Sequence, residues 1–122
     1  MRNDSVTQLR ESAFQALADP TRRAVLDLLR ARGCQPAGAI AASFTVSRPT
    51  VSKHLRLLRQ ARLVHEHRQG RHRVYQLNPA PLREVDSWLE AYRGFWSRKL
   101  DQLKLFVEAE ERKSKPRGKR GK

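Results

Sequence analysis

Arg48, Lys53, Arg56, Arg59 and Arg62 all fall within SRPTVSKHLRLLRQARLV, residues 47–64, a stretch without a single acid. Cations at this density attract a polyanion: a guanidinium matches paired acceptors bidentately, and an ammonium acts as a compact charge for phosphates. Ser47, Thr50, Ser52 and His54 add neutral hydrogen-bonding groups among the bases. Two further arginines, Arg68 and Arg71, flank Gln69-Gly70 in the next segment.

The distribution of charge along the chain points the same way. The formal net charge is +14, yet residues 1–27 hold four bases and four acids, and residues 84–111 hold four bases against seven acids. The excess sits in residues 28–83, where eleven bases face Glu66 alone, and in residues 112–122, with seven bases and no acid. Such segregation fits a nucleic acid, whose phosphates supply sequence-independent attraction. The last segment, RKSKPRGKRGK, has nothing apolar to bury and is expected to be a disordered tail beyond a domain of residues 1–111.

With 122 residues, 39% hydrophobic and 31% charged, the chain has the make-up of one globular domain. Its longest apolar runs are only a few residues, too short to span a membrane, so no membrane partner is expected. The N-terminal residues show no apolar signal core, and a lone cysteine cannot form an internal disulfide; both suit a cytoplasmic protein. No glycine-rich phosphate loop, Cys/His cluster at motif spacing or nucleophile elbow is present, so an enzyme is not expected.

The elements that must hold the basic groups follow from periodicity and caps. A first helix is expected from about Thr7 to Ala18, on Leu9, Ala13, Phe14 and Leu17. In LADPTRRAVLDLLRARG, Asp19 suits an N-cap, Pro20 the first helical position and Gly33 the C-terminal end, with Ala24, Val25, Leu28 and Leu29 as the stripe. PAGAIAASF reads as a short third helix of small residues, followed by a tight turn. A fourth helix opens on Ser47 with Pro49 in its first turn, and Val51, Leu55 and Leu58 mark its inward side. At 100° per residue Lys53 lies almost opposite that stripe, flanked by Thr50 and Arg56, while Arg48 and Ser52 project near the start.

Residues 63–68 and 71–77 read as strands around a two-residue turn, Gln69-Gly70, forming a hairpin wing. That register sets Arg68 opposite Arg71, Glu66 opposite Arg73 and His67 opposite His72. From Pro79 to Lys113 runs a long helix with Leu82, Val85, Leu89, Tyr92, Trp96, Leu100, Leu103 and Val107 at steps of three and four. A stripe over about 30 residues is roughly 45 Å long, more than a domain of this size can cover alone, so Leu82, Val85, Leu89, Tyr92, Trp96, Leu100 and Leu103 are the expected homodimer interface.

The fold class that results is mainly α with a β-hairpin wing, a winged helix-turn-helix, dimeric through its first and last helices. FQALADPTRRAVLDLL, SRPTVSKHLRLLRQARLV and QGRHRVYQLN resemble the ArsR-type transcriptional repressors across most of residues 14–78. The long helix with GFWSRKLDQL resembles the branch of metal-independent autorepressors similar to the sporulation-delay repressors. The resemblance implies a homodimeric repressor on a pseudo-palindromic double-stranded DNA operator. It assigns DNA contacts to Ser47, Arg48, Thr50, Ser52, Lys53 and His54; Arg56 and the wing-tip Arg68 and Arg71 join them on charge and position. A sequence-independent nucleoid or RNA-binding protein is the alternative, but its usual aromatics among the bases are missing from the basic helix.

Metal-sensing members carry a Cys-x-Cys pair in the third helix, or carboxylate and histidine ligands in the last. PAGAIAASF has no ligand and the last helix no histidine, so neither site transfers, and no metal or cofactor is expected. His65, His67 and His72 in the wing are read as solvated strand histidines rather than zinc ligands, and Cys34 as a small packed residue rather than a redox thiol.

Overall fold

The computed structural model describes residues 2–114. The order is α1 (Arg2–Leu17), α2 (Pro20–Arg32), β1 (Gln35–Pro36), α3 (Ala37–Ala42), α4 (Arg48–Gln60), β2 (Val64–Gln69), β3 (His72–Leu77) and α5 (Ala80–Ser114). Two units divide the chain, Met1–Asp86 and Ser87–Lys122.

In the first unit the caps act as their residue types require. Asp19 Oδ2 accepts the Arg22 N–H at 3.0 Å and starts α2; that bond holds the Asp19 carboxyl below its ordinary value. Gly33 ends α2 with φ 78°, donating to Leu29 O at 2.8 Å. The last carbonyls of α1 are covered from the next helix: Arg22 donates to Ala16 O (2.8 Å) and Gln15 O (3.1 Å), and Arg23 to Leu17 O (2.7 Å).

The core gathers Val25, Leu26 and Leu29 of α2, Ile40 of α3, and Val51, Leu55 and Leu58 of α4. Leu63, Val64 and Tyr75 close it from the wing side. The three α4 residues are almost fully buried, each contributing roughly 1.5–3 kcal/mol. Ile40 fixes α3 against them, and the small residues around it let α3 and α4 approach closely.

The C-terminus of α4 is a Schellman turn. Leu63 N–H donates to Leu58 O and Arg62 N–H to Arg59 O, both at 2.9 Å, with Arg62 left-handed at φ 63°. A non-glycine residue there stores roughly 1–2 kcal/mol of backbone strain. Asn78 Nδ2 donates to the Arg62 carbonyl at 2.6 Å, holding the turn from the far end of the wing.

The sheet differs from the expected hairpin in two ways. A third strand, β1, pairs antiparallel with β3 through Gln35↔Tyr75 and Pro36↔Val74, so the order is β1-β3-β2. The wing register also shifts: Gln69 opposes His72, Arg68 opposes Arg73, His67 opposes Val74 and Glu66 opposes Tyr75. The two-residue turn is therefore Gly70-Arg71, not Gln69-Gly70. Gly70, at φ 62°, occupies the first loop position, where a II′-type turn requires glycine, and Arg71 needs no positive φ.

Further corrections concern ends and exposure. Helix α1 begins at Arg2, ahead of the expected Thr7, and α5 begins at Ala80 and carries Arg112, Lys113 and Ser114 beyond Glu111. The rest of the basic tail, 115–122, lies outside the described residues. Cys34 is exposed rather than packed, because the chain leaves α2 at Gly33 and is already turning into β1.

The second unit holds the continuation of α5, an exposed apolar surface. Trp88, Tyr92 and Trp96 form a ladder with ring centroids 5.0 and 6.2 Å apart, and Lys99 Nζ sits 5.5 Å from the Phe95 ring centre.

Candidate nucleic-acid interface

Helix α4 follows α3 after a five-residue connection, and its exposed side carries the cations. Ser47 Oγ accepts the Thr50 N–H at 3.3 Å and lies 2.9 Å from Thr50 Oγ1, so this pair frames the first turn. Arg48, Ser52, Lys53 and Arg56 are exposed and Thr50 half-buried. Arg48 Nη2 lies 3.6 Å from where a Cβ on Gly38 would stand, so the free protein holds this guanidinium against bare backbone of α3.

His54 stands apart from this group. Its side chain is only 13% exposed; Nδ1 is 3.4 Å from Arg22 Nη1 and Nε2 3.9 Å from Asp19 Oδ2. The signal was present in the sequence, since three residues at 100° set His54 only 60° from buried Val51.

Arg68 and Arg71 are exposed at the wing tip, though Arg68 is paired across the ladder with Arg73 and Arg71 lies in the turn. The wing is tied to α4 by Glu66, the sole acid of the basic block. Glu66 Oε1 accepts from Arg59 Nη1 at 2.6 Å, and Oε2 accepts from Tyr75 Oη at 2.8 Å and Arg73 Nη1 at 3.2 Å. Sequence spacing matched Glu66 with Arg73 but missed Arg59 and Tyr75. Arg59 and Arg73 thus brace the wing, while Arg48, Lys53, Arg56, Arg68 and Arg71 are exposed and lie outside this clamp, Arg48 beside Gly38.

This clamp has a pH window. The Tyr75 hydroxyl, with Arg59 and Arg73, holds the Glu66 carboxyl below its ordinary 4.5 despite burial. Burial, then the bond to Glu66, pushes the Tyr75 phenol above 10.0. A lowered carboxyl contributes stability above its unfolded value and loses it as pH falls through the folded one. A raised phenol contributes below its unfolded value and loses it as pH rises through the folded one. Glu66→Gln should therefore cost about 1–2 kcal/mol at neutral pH, and the gap from the unsubstituted protein should close as pH drops from 4.5 toward 3. Urea unfolding across pH 3–8 checks this; a gap independent of pH would contradict it.

Among the interface candidates of α5, Leu82 packs partly against the core of the first unit, and Val85 and Leu89 are half-buried. Tyr92, Trp96, Leu100 and Leu103 are exposed, as is Val107. Trp88, Phe95 and Phe106, not among the expected residues, lie on the same side and widen the apolar arc to about 140° at 100° per residue. Among the described residues no group of three or more His, Cys, Asp or Glu is placed to hold a metal ion. No described helix is long and apolar enough to cross a membrane.

A short α3, a turn, a capped basic helix and a hairpin beside it define a winged helix-turn-helix. A helix-turn-helix domain model matches residues 17–67. The transcriptional repressor SdpR of Bacillus subtilis is 42% identical over 78 residues, covering 64% of this chain and 86% of that one. The crystal structure of the ArsR family transcriptional regulator RHA00566 superposes with a TM-score of 0.66 at 35% identity, over 75% of this chain and 93% of the other. The homodimeric winged helix-turn-helix DNA-binding domain Mb0332 of Mycobacterium bovis gives 0.60 at 27% identity, over 74% and 84%. This chain belongs to the ArsR family of helix-turn-helix transcriptional regulators.

Proposed function

We propose that the protein is a cytoplasmic, homodimeric transcriptional repressor that binds a pseudo-palindromic operator and has a regulatory rather than catalytic role. The observation that carries it is α4: buried Val51, Leu55 and Leu58 on one side, and exposed Arg48, Ser52, Lys53 and Arg56 on the other with no acid between. Seated in the major groove, this helix reads base edges with Arg48 and its serines, and Lys53 and Arg56 neutralise phosphates. Arg68 and Arg71 reach the flanking backbone or minor groove. The α5 arc from Leu89 to Val107 pairs with a second copy, in keeping with the homodimeric Mb0332 domain, and the repressor role is in keeping with SdpR.

The test is selection from a random double-stranded DNA pool, followed by footprinting. Enrichment of a two-fold motif with half-sites about one or more helical turns apart is expected. Retention of all sequences with equal affinity would instead favour a sequence-independent basic protein.

A further inference from the structure

We infer that His54 is a positioning residue for the recognition helix rather than a DNA contact, and that Arg22 is the group through which it acts; this rests on the DNA-binding reading above. Arg22 joins three helices. Its backbone N–H starts α2 on Asp19, its Nε and Nη2 cover the Ala16 and Gln15 carbonyls at the end of α1, and its Nη1 meets His54 Nδ1 on α4 at 3.4 Å.

A guanidinium only donates, so a hydrogen bond across this contact needs Nδ1 as acceptor and the ring proton on Nε2. Nδ1 meets Arg22 and Nε2 faces the Asp19 carboxylate across 3.9 Å, beyond direct hydrogen-bond reach, and the side chain is 13% exposed. His54 follows Lys53 directly, so the rotation of α4 that turns Lys53 outward is the one that seats His54 on Arg22. Apolar packing of Val51, Leu55 and Leu58 tolerates small rotations and slides, whereas a hydrogen bond to a guanidinium held by two backbone carbonyls does not. The bond thereby sets the angle at which Arg48, Ser52 and Lys53 meet a groove.

The test uses the full chain and a duplex selected by it from a random pool. His54→Leu and Arg22→Leu should each weaken that duplex about tenfold while changing random-duplex affinity less than about twofold. The double variant should be no weaker than the worse single variant, because both break one link. His54→Asn, whose amide oxygen falls near the Nδ1 position, should restore most of the affinity. Additive losses, or a tenfold loss with His54→Leu and none with Arg22→Leu, would make His54 a direct contact and overturn the inference. Long-range proton–nitrogen NMR of the unsubstituted protein needs no variant to fold: the Nε2–H tautomer should persist in the free and DNA-bound states. A tautomer change or exposure of the ring on binding would overturn the inference. If the unsubstituted chain enriches no sequence, the DNA-binding reading falls too; if it does and only the cycle is additive, the inference alone falls.

Discussion

Trp96→Glu will yield a monomer that no longer holds its operator. Trp96 is half exposed in the single chain, between Tyr92 and Leu100 on the α5 arc. In a two-fold interface every substitution occurs twice. A buried interfacial tryptophan contributes about 2–4 kcal/mol, and the glutamate adds an unpaired carboxylate to an apolar seam. Self-association should weaken by at least about 100-fold and operator affinity with it, since each half-site must then be bound independently. Light scattering at micromolar concentration and fluorescence anisotropy with the selected duplex read the two effects, and circular dichroism should retain the helical spectrum. A variant that stays dimeric would remove α5 from the interface.

Arg48→Ala and Lys53→Ala should differ in kind. Loss of a bidentate contact to a guanine costs about 1–3 kcal/mol and relaxes preference at one base pair per half-site. To make that contact Arg48 exchanges its place beside Gly38 for the base edge. Lys53 points straight out, and its removal should weaken all sequences alike and flatten the plot of log affinity against log salt by about 0.9 per lost phosphate contact. Competition between operator and random duplex separates the outcomes. Equal weakening of both duplexes by Arg48→Ala would reduce Arg48 to a phosphate contact.

Local signals carried much of this in the sequence. Ser47, Pro49 and the 51/55/58 spacing suffice for α4 because cap, first-turn proline and apolar period all concern neighbours within one helix. Asp19, Pro20 and Gly33 delimit α2 for the same reason. What escaped depends on partners distant in the chain. Strand β1 is two residues long, without a period of its own, and exists only because β3 offers a free edge to Gln35 and Pro36. The wing differs in register because a glycine in a two-residue turn fits either position, and the expected and observed registers place the same residues on the same face, so the alternation of apolar residues does not distinguish Gln69 from Arg71 as its companion. His54 was assigned to the DNA face by resemblance although its 60° offset from Val51 already set it toward the core, and the charged groups it meets, Asp19 and Arg22, lie more than thirty positions away.

The small sheet bears on solubility. A protein with an unpaired apolar helix must keep its other surfaces from associating, and exposed strand edges invite pairing with another chain. Here both outer strands are poor templates. One is the two-residue β1, whose Pro36 has no N–H to donate, and the other is β2, where Glu66 and Arg68 interrupt the ladder with charge. With fibre-like strand addition discouraged at both edges, the exposed apolar arc of α5 is the surface on which the proposed dimer would form, and a two-fold contact there would close on itself rather than grow without limit.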